Sequence, residues 1–125
     1  MIGGICLIAG LLVAPLGDAI TVQWTHSIEK ILWEEDYRLE AGGLRLIEAR
    51  VRGSGAGMEP PEGAVLRASS WHYVPRLSVL PRIQLRHSPY VRPYVICNAA
   101  RCRSVTEWLP GLPDEAILEL APCSR

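Results

Sequence analysis

The alternation of apolar and polar residues along the first half of the chain constrains its fold most strongly. Residues 20–27 place β-branched and aromatic side chains at every second position, and the apolar face of this run ends in His26. Residues 33–40 repeat the pattern, and Ala41-Gly42-Gly43 separates them from a third run, residues 44–51, in which neither face is cleanly apolar. A period of two is typical of β-strands, and a glycine pair between two alternating runs indicates a hairpin. The sequence therefore predicts three strands, with the last two joined as a hairpin.

Prolines and glycines punctuate the rest of the chain too closely for long helices. A proline has no backbone N–H and fixes φ, so it interrupts helices and central strands. The short apolar runs between these residues predict further strands at residues 70–74, 83–87, 94–98, 103–108 and 116–120. Short strands with regular turn signals favour a sandwich or a barrel, and 125 residues suffice for one domain. The predicted fold class is all-β: a small single-domain antiparallel sandwich or barrel with an N-terminal hydrophobic segment.

Residues 1–19 are predicted to be a signal peptide or a membrane anchor, and residues 20–125 the β-rich domain. The apolar stretch from Ile2 to Leu16 is shorter than the ~20 residues that a spanning helix needs. Gly17-Asp18-Ala19 offers small residues at the positions that a signal peptidase reads, although no basic residue precedes this stretch. The alternative is a buried apolar strand at the start of the domain. Export would make the protein periplasmic, or anchored to the inner membrane facing the periplasm.

Three cysteines lie in the predicted exported part: Cys97, Cys102 and Cys123. An oxidising compartment permits one disulfide among them and leaves one thiol. Residues 98–101 can form a hairpin tip that brings Cys97 and Cys102 face to face, whereas Cys123 could instead join the C-terminus to either of them. The spacing lacks the close cysteine pairs of structural zinc sites.

Composition excludes some classes of function. Lysines and arginines number 13 and so do the acids, and the basic residues are scattered, so nucleic acid is not an expected partner. Phenylalanine is absent, so tryptophans must supply much of the large apolar volume, and their indole N–H groups need partners where they are buried.

The densest group of polar residues lies on the predicted strands and between the first two. It comprises His26, Ser27, Glu29, Glu34, Glu35 and Glu48. If the three strands are neighbours, His26, Glu35 and Glu48 are expected to project towards one region. A histidine beside carboxylates suits proton transfer, carboxylates alone suit Ca²⁺, and a structural hydrogen-bond network would use the same residues. Beyond this possible Ca²⁺, no cofactor is expected. His26 and Ser27 are adjacent on a strand and point to opposite faces, so they cannot form a nucleophile–base pair.

A glycine-rich loop follows the third strand. Residues 53–63 contain alternating glycines and a Pro-Pro pair, which neither a helix nor a regular strand accommodates. The loop lacks the Lys-Ser/Thr ending of a phosphate-binding loop. Its backbone amides at Gly55, Ala56 and Gly57 could still bind an anion, with help from the preceding Arg50 and Arg52. The alternative is that the glycines permit close packing against the first hairpin.

Three segments resemble a bacterial family with no assigned function, domain of unknown function 1850. They are Trp24-Thr25-His26-Ser27-Ile28-Glu29-Lys30, Trp33-Glu34-Glu35, and Gly53 through Met58. The match runs from about Ile20 to Gly63 and continues more weakly to Cys123. It departs from the family pattern at Ile28, where valine is usual, and at Leu32-Trp33, and neither change affects an ionisable residue.

The resemblance implies a setting, because genes of this family are often encoded beside TRAP transporters of the TAXI class. It implies a non-enzymatic, exported accessory or binding subunit that contacts the transporter's membrane subunit or its solute receptor. The site residues it implies are His26, Ser27, Glu29, Glu34 and Glu35, with Gly55, Ala56 and Gly57 as the loop. The alternatives are a small periplasmic hydrolase or isomerase that uses His26 with a nearby glutamate, and a free-standing ligand-binding or Ca²⁺-binding module.

Overall fold

The strands of this protein form two antiparallel sheets. The computed structural model describes residues 3–25, 31–52, 64–67, 70–74 and 79–123. Within these ranges the elements are β1 (Ile5–Ala9), β2 (Leu12–Gly17), β3 (Ala19–Thr25), β4 (Leu32–Glu40), β5 (Gly43–Arg52), β6 (Val65–Arg67), β7 (Ser70–Tyr73), β8 (Ile83–His87), β9 (Val95–Cys97), β10 (Cys102–Ser104), α1 (Val105–Trp108) and β11 (Ala116–Pro122). The described part of the chain contains no helix with the length and apolar character that a membrane crossing requires.

The two sheets pack as a sandwich. The smaller sheet has the strand order β2-β1-β11-β8, and the larger has the order β10-β9-β3-β4-β5-β7-β6. The core lies between them and draws on both sheets; its most deeply buried members include Ile5, Leu7, Val22, Leu44, Ile96, Leu118 and Leu120. The predicted all-β sandwich is therefore confirmed.

The predicted alternation of the first two strands is confirmed by their register. In the β3–β4 pair, Ile20 lies opposite Tyr37, and Val22 lies opposite Glu35. Ile20, Val22 and Tyr37 are all buried in the core. Cross-strand partners share a face, so Glu35 also points to the core side of the large sheet, whereas its neighbour Glu34 points to the outer side.

A bulge explains why β5 has no cleanly apolar face in the sequence. Tyr37 pairs with Leu46 but Asp36 pairs with Glu48, so Ile47 is an extra residue in β5. The insertion reverses which alternate positions face the core. Leu44 and Leu46 are buried before it, and Ala49 and Val51 are buried after it. Glu48 and Arg50 consequently lie on the outer face.

The N-terminal segment contributes two strands to the smaller sheet. β1 pairs with both β2 and β11, and Ile5, Leu7 and Leu16 are buried in the core. The alternative of a buried apolar strand at the start of the domain is what the structure shows for residues 5–17. Cleavage after residue 19 would remove both strands from the sandwich.

The cysteines form two disulfides, Cys6–Cys123 and Cys97–Cys102. Of the pairings that the sequence left open, the structure has Cys97 with Cys102 across a hairpin tip, since β9 and β10 pair with these residues opposite each other. The expectation of one leftover thiol is wrong in this fold, because Cys6 belongs to β1 and lies within reach of Cys123 at the end of β11.

The predicted strand at residues 103–108 ends early. β10 stops at Ser104, and one helical turn, Val105–Trp108, follows. The Glu107 side chain accepts a hydrogen bond from the Ser104 backbone N–H at 3.1 Å, an interaction of the capping box that starts many helices. The Trp108 indole donates to the Ile96 carbonyl at 3.0 Å, which gives this tryptophan the partner that burial requires.

Candidate functional site

The outer face of the large sheet has an arginine surrounded by carboxylates. The Arg50 guanidinium donates to both carboxylate oxygens of Asp36, at 2.6 and 2.8 Å, and to Glu48 at 3.0 Å. Its Nε lies 3.5 Å from Glu34. The Thr21 hydroxyl donates to Asp36 at 2.7 Å. We refer to Arg50, Asp36, Glu48 and Glu34, with their hydrogen-bond partners, as the outer cluster.

Two further side chains complete the outer cluster. The Gln23 amide donates to Glu34 at 2.7 Å, and the His72 Nδ1 lies 2.9 Å from Glu48. A bidentate arginine–carboxylate pair fixes geometry as well as charge. With these contacts the cluster is a satisfied hydrogen-bond network that joins β3, β4, β5 and β7.

Electrostatics favour the charged forms within the outer cluster. Burial raises the pKa of the Asp36 carboxyl, but the hydrogen bonds from Arg50 and Thr21 outweigh burial and leave this pKa below its usual value. The hydrogen bond from His72, with a smaller contribution from Arg50, lowers the pKa of Glu48. The hydrogen bond to Asp36 is the main cause that raises the pKa of Arg50. Each ion stabilises its partners, so the network is held together by charge.

Glu35 lies on the opposite face from this network. It pairs with Val22 on one side and Ala49 on the other, and both of these are buried. The expectation that Glu35 and Glu48 project towards one region is therefore wrong: Glu48 pairs with Asp36, one residue along β4, and adjacent strand residues point to opposite faces.

Aromatic side chains share the face of the sheet to which Glu35 points. The Tyr37 hydroxyl donates to its Oε1 at 2.8 Å. Trp24 and Trp33 form the next cross-strand pair on the same face, with ring centroids 5.9 Å apart and planes at 10°. The Tyr94 ring lies 6.1 Å from Trp24. We refer to Glu35, Trp24, Trp33, Tyr94 and the neighbouring Tyr73 as the aromatic site.

Burial raises the pKa of the Glu35 carboxyl, and the hydrogen bond from Tyr37 offsets only part of this rise. Burial also raises the pKa of Tyr73 and Tyr94, and in both cases the charge of Glu35 raises it further. Tyr73 is the last residue of β7, and Tyr94 lies immediately before β9.

Six of the predicted site residues lie outside the described residues: His26, Ser27, Glu29, Gly55, Ala56 and Gly57. Proton transfer through His26 and anion binding by the loop stay predictions. Arg50, expected to assist such an anion, instead has its guanidinium bound to carboxylates on the outer face.

The sequence analysis missed the residues that organise both regions. Arg50 and Asp36 form the centre of the outer cluster, and the tryptophan pair defines the aromatic site. The available signal was the position of Trp24 and Trp33 on the faces of two predicted neighbouring strands, which placed them on the core side with Glu35.

Calcium is not expected to stabilise the outer cluster, because the Arg50 guanidinium already occupies the carboxylate oxygens of Asp36 and Glu48 that would bind the ion. Among the described residues, no group of three or more His, Cys, Asp or Glu side chains is arranged to hold a metal ion. We expect thermal unfolding curves in millimolar Ca²⁺ and in excess chelator to coincide. A shift to higher temperature with Ca²⁺ that Glu48→Gln abolishes would contradict this expectation and would place a Ca²⁺ site at the cluster.

Fold and site together define a small disulfide-linked β-sandwich with a polar network on one face of its larger sheet and an aromatic site on the other. The chain belongs to the family described as a domain of unknown function (DUF1850), whose model matches residues 20–105. The resemblance seen in the sequence is thus confirmed. No curated protein and no solved structure matched the chain.

Proposed function

We propose that the protein is a non-enzymatic, exported accessory subunit of a TAXI-type TRAP solute transporter. In this proposal it works in the periplasm or at the periplasmic side of the inner membrane. It binds the transporter's membrane subunit or its solute receptor. The genomic setting implied by the family resemblance suggests this partner, and two features of the molecule support the proposal.

The first supporting feature is the pair of disulfides. Two disulfides link all four cysteines of the chain. Structural disulfides persist in oxidising compartments such as the periplasm and are rare in the reducing cytosol. Because Cys6 is one of the linked residues, the form of the exported protein that suits this fold is one that retains residues 5–17.

The observation on which the accessory role rests is the exposed edge of the larger sheet. β6 is its last strand and pairs only with β7 among the described strands. Its apolar side chains are open to solvent, with Val65 52% exposed and Leu66 56% exposed. Exposed apolar edges favour pairing with a strand from another chain, and strand addition is a common mode of protein recognition. We propose that the partner adds an extended segment along β6.

The test is purification of a tagged copy from detergent-solubilised native membranes, with identification of the co-purifying proteins. Val65→Lys introduces a charge at the proposed edge. Ile117→Lys is the matched control, because Ile117 is 52% exposed on β11 of the other sheet, outside the N-terminal segment. We expect the unmodified protein and Ile117→Lys to recover the TRAP membrane subunit or the TAXI receptor, and Val65→Lys to lose it.

Two outcomes would refute parts of this proposal. Recovery of neither transporter component by the unmodified protein would remove the transporter role. Equal recovery by Val65→Lys and Ile117→Lys would keep the partner but exclude docking along β6.

A further inference from the structure

Glu35 differs from the other acids of its strand in having no cationic partner among the described residues. Glu34 and Asp36, on either side of it, both contact Arg50. Within the part of the chain that the structure describes, the Glu35 carboxylate accepts one side-chain hydrogen bond, from the neutral Tyr37 hydroxyl. A carboxylate that is partly removed from water without a cation loses hydration that a neutral donor only partly replaces. The site therefore favours a positive charge.

Aromatic faces line the same region. Trp24 and Trp33 stack with nearly parallel rings, and Tyr94 is tilted by 54° against Trp24. These three side chains and Glu35 are each partly exposed, so solutes can reach them. The faces of tryptophan and tyrosine rings attract cations, and rings grouped around a site are how proteins recognise alkylated ammonium groups.

We propose that the aromatic site binds a small organic cation, an alkylammonium or quaternary ammonium group, with Glu35 as its counter-ion and Trp24, Trp33 and Tyr94 as its cation–π surfaces. The combination of one carboxylate with aromatic faces determines which class of ligand the site selects. An inorganic cation would need several oxygen ligands, whereas this site offers one carboxylate among rings. A neutral apolar ligand would leave the carboxylate unpaired, and an anion would be repelled by it.

The pattern of the strands accounts for how the site forms. Glu35 and Trp33 are two residues apart on β4, and Val22 and Trp24 are two residues apart on β3, so the ring pair lies one step along the sheet from the carboxylate. Tyr94 precedes β9, the other neighbour of β3. β3, β4 and the residue that precedes β9 thus supply the charge and the rings. The proposal stands independently of the transporter role, since it requires only this face of the sheet.

The test is a titration of the ¹⁵N-labelled full chain with tetramethylammonium chloride and, separately, with propylammonium chloride, followed by NMR of the indole N–H groups. Sodium chloride at equal ionic strength and tert-butanol, a neutral molecule of similar shape, are the ligand controls. We expect the Trp24 and Trp33 signals to shift in a saturable way with both ammonium ions. The Trp108 signal should stay in place, because its indole N–H is bound to the Ile96 carbonyl outside the site.

Matched variants separate the contribution of the Glu35 charge to binding from the contribution of the aromatic rings. Glu35→Gln keeps an oxygen that can accept the Tyr37 hydrogen bond and should weaken binding about tenfold, the factor that 1.4 kcal/mol of lost charge pairing gives. Glu34→Gln, the neighbour on the outer face, should leave the affinity unchanged. Tyr94→Leu removes a ring but keeps the carboxylate, and should weaken tetramethylammonium more than propylammonium, which can still donate hydrogen bonds.

The proposal is overturned if neither ammonium ion shifts the Trp24 and Trp33 signals, if tert-butanol binds as well as tetramethylammonium, or if Glu35→Gln and Glu34→Gln bind equally. Dispersed spectra of each variant verify folding. If Glu35→Gln does not fold, the comparison of Tyr94→Leu with Glu34→Gln still decides the matter, since equal affinities of these two variants would also refute the site.

Discussion

Replacing Arg50 with glutamine is expected to lower the free energy of unfolding by about 2–3 kcal/mol at pH 7. The substitution leaves three carboxylates, those of Glu34, Asp36 and Glu48, close together without their cation. Breaking a buried ion pair from one side costs ~3–5 kcal/mol. We expect less here, because the Asp36 and Glu48 side chains are 32% and 30% exposed and water screens part of the repulsion.

The same variant should reverse the pH dependence of stability that the cluster contributes. In the unmodified protein the pKa values of Asp36 and Glu48 lie below their usual range. The stability that these two carboxylates contribute is therefore fully present above the pKa values that they have in the unfolded chain. It is lost as the pH falls through their lower pKa values in the folded protein. Without Arg50 the carboxylates repel each other, their folded pKa values rise, and acidification relieves the repulsion.

Urea unfolding at pH 7 and at about pH 4, near the ordinary carboxyl pKa, measures both effects. Arg45→Gln is the control, because Arg45 also lies on β5 but pairs with Glu40 at an exposed site, where an ion pair contributes ~0–1 kcal/mol. The destabilisation by Arg50→Gln should shrink at the lower pH. A loss no larger than that of Arg45→Gln at pH 7 would show that the outer cluster does not stabilise the sandwich.

Removing the disulfide between the two ends of the chain should have the largest effect on stability. Cys6 and Cys123 are separated by 117 positions, and in the chain-entropy model a cross-link over so long a loop stabilises by about 5 kcal/mol. The loss expected for the double variant Cys6→Ala/Cys123→Ala therefore approaches the whole free energy of unfolding of a small domain. The bond also fastens β1 to the end of β11, where Ile5 pairs with Pro122.

The second disulfide gives a control of the same chemistry. Cys97 and Cys102 are separated by 5 positions, and the same model gives about 2 kcal/mol for closing so short a loop. Chemical unfolding of the two double-alanine variants under oxidising conditions should thus show a clearly greater loss for Cys6→Ala/Cys123→Ala. Equal losses would mean that the N-terminal strand is not held in the sandwich by this bond.

The strand pattern was predictable from the sequence, but the composition of the outer cluster was not. The Gly42-Gly43 turn fixes the start of the β4–β5 register, and a regular ladder from that turn places Arg50 opposite Trp33. The bulge at Ile47 shifts the register by one residue and places Arg50 opposite Glu34 instead. Nothing in the local sequence marks the position of that bulge, which allows Leu46 before it and Ala49 after it both to be buried.

The N-terminal segment shows a different limit of sequence reasoning. An apolar stretch of 15 residues has the same composition whether it is a leader or a buried strand. In the structure the stretch is a buried strand because β1 pairs with β11, a strand that is distant in sequence. Glu35 was identified as a site residue from its ionisable side chain, and the alternation along β4 places it on the same face as Trp33 and Tyr37. A regular ladder from the turn would place Glu48 opposite Glu35, and the bulge at Ile47 moves Glu48 to the other face.

The most direct measurement is non-reducing peptide mapping of the protein isolated from the envelope of its native host. Trypsin should release residues 1–30 linked to residues 104–125 through Cys6 and Cys123, and residues 87–101 linked to residues 102–103 through Cys97 and Cys102. That result would establish an exported chain that keeps its first strands and both disulfides. A chain that begins at Ile20, or free thiols in a protein confined to the cytosol, would contradict it.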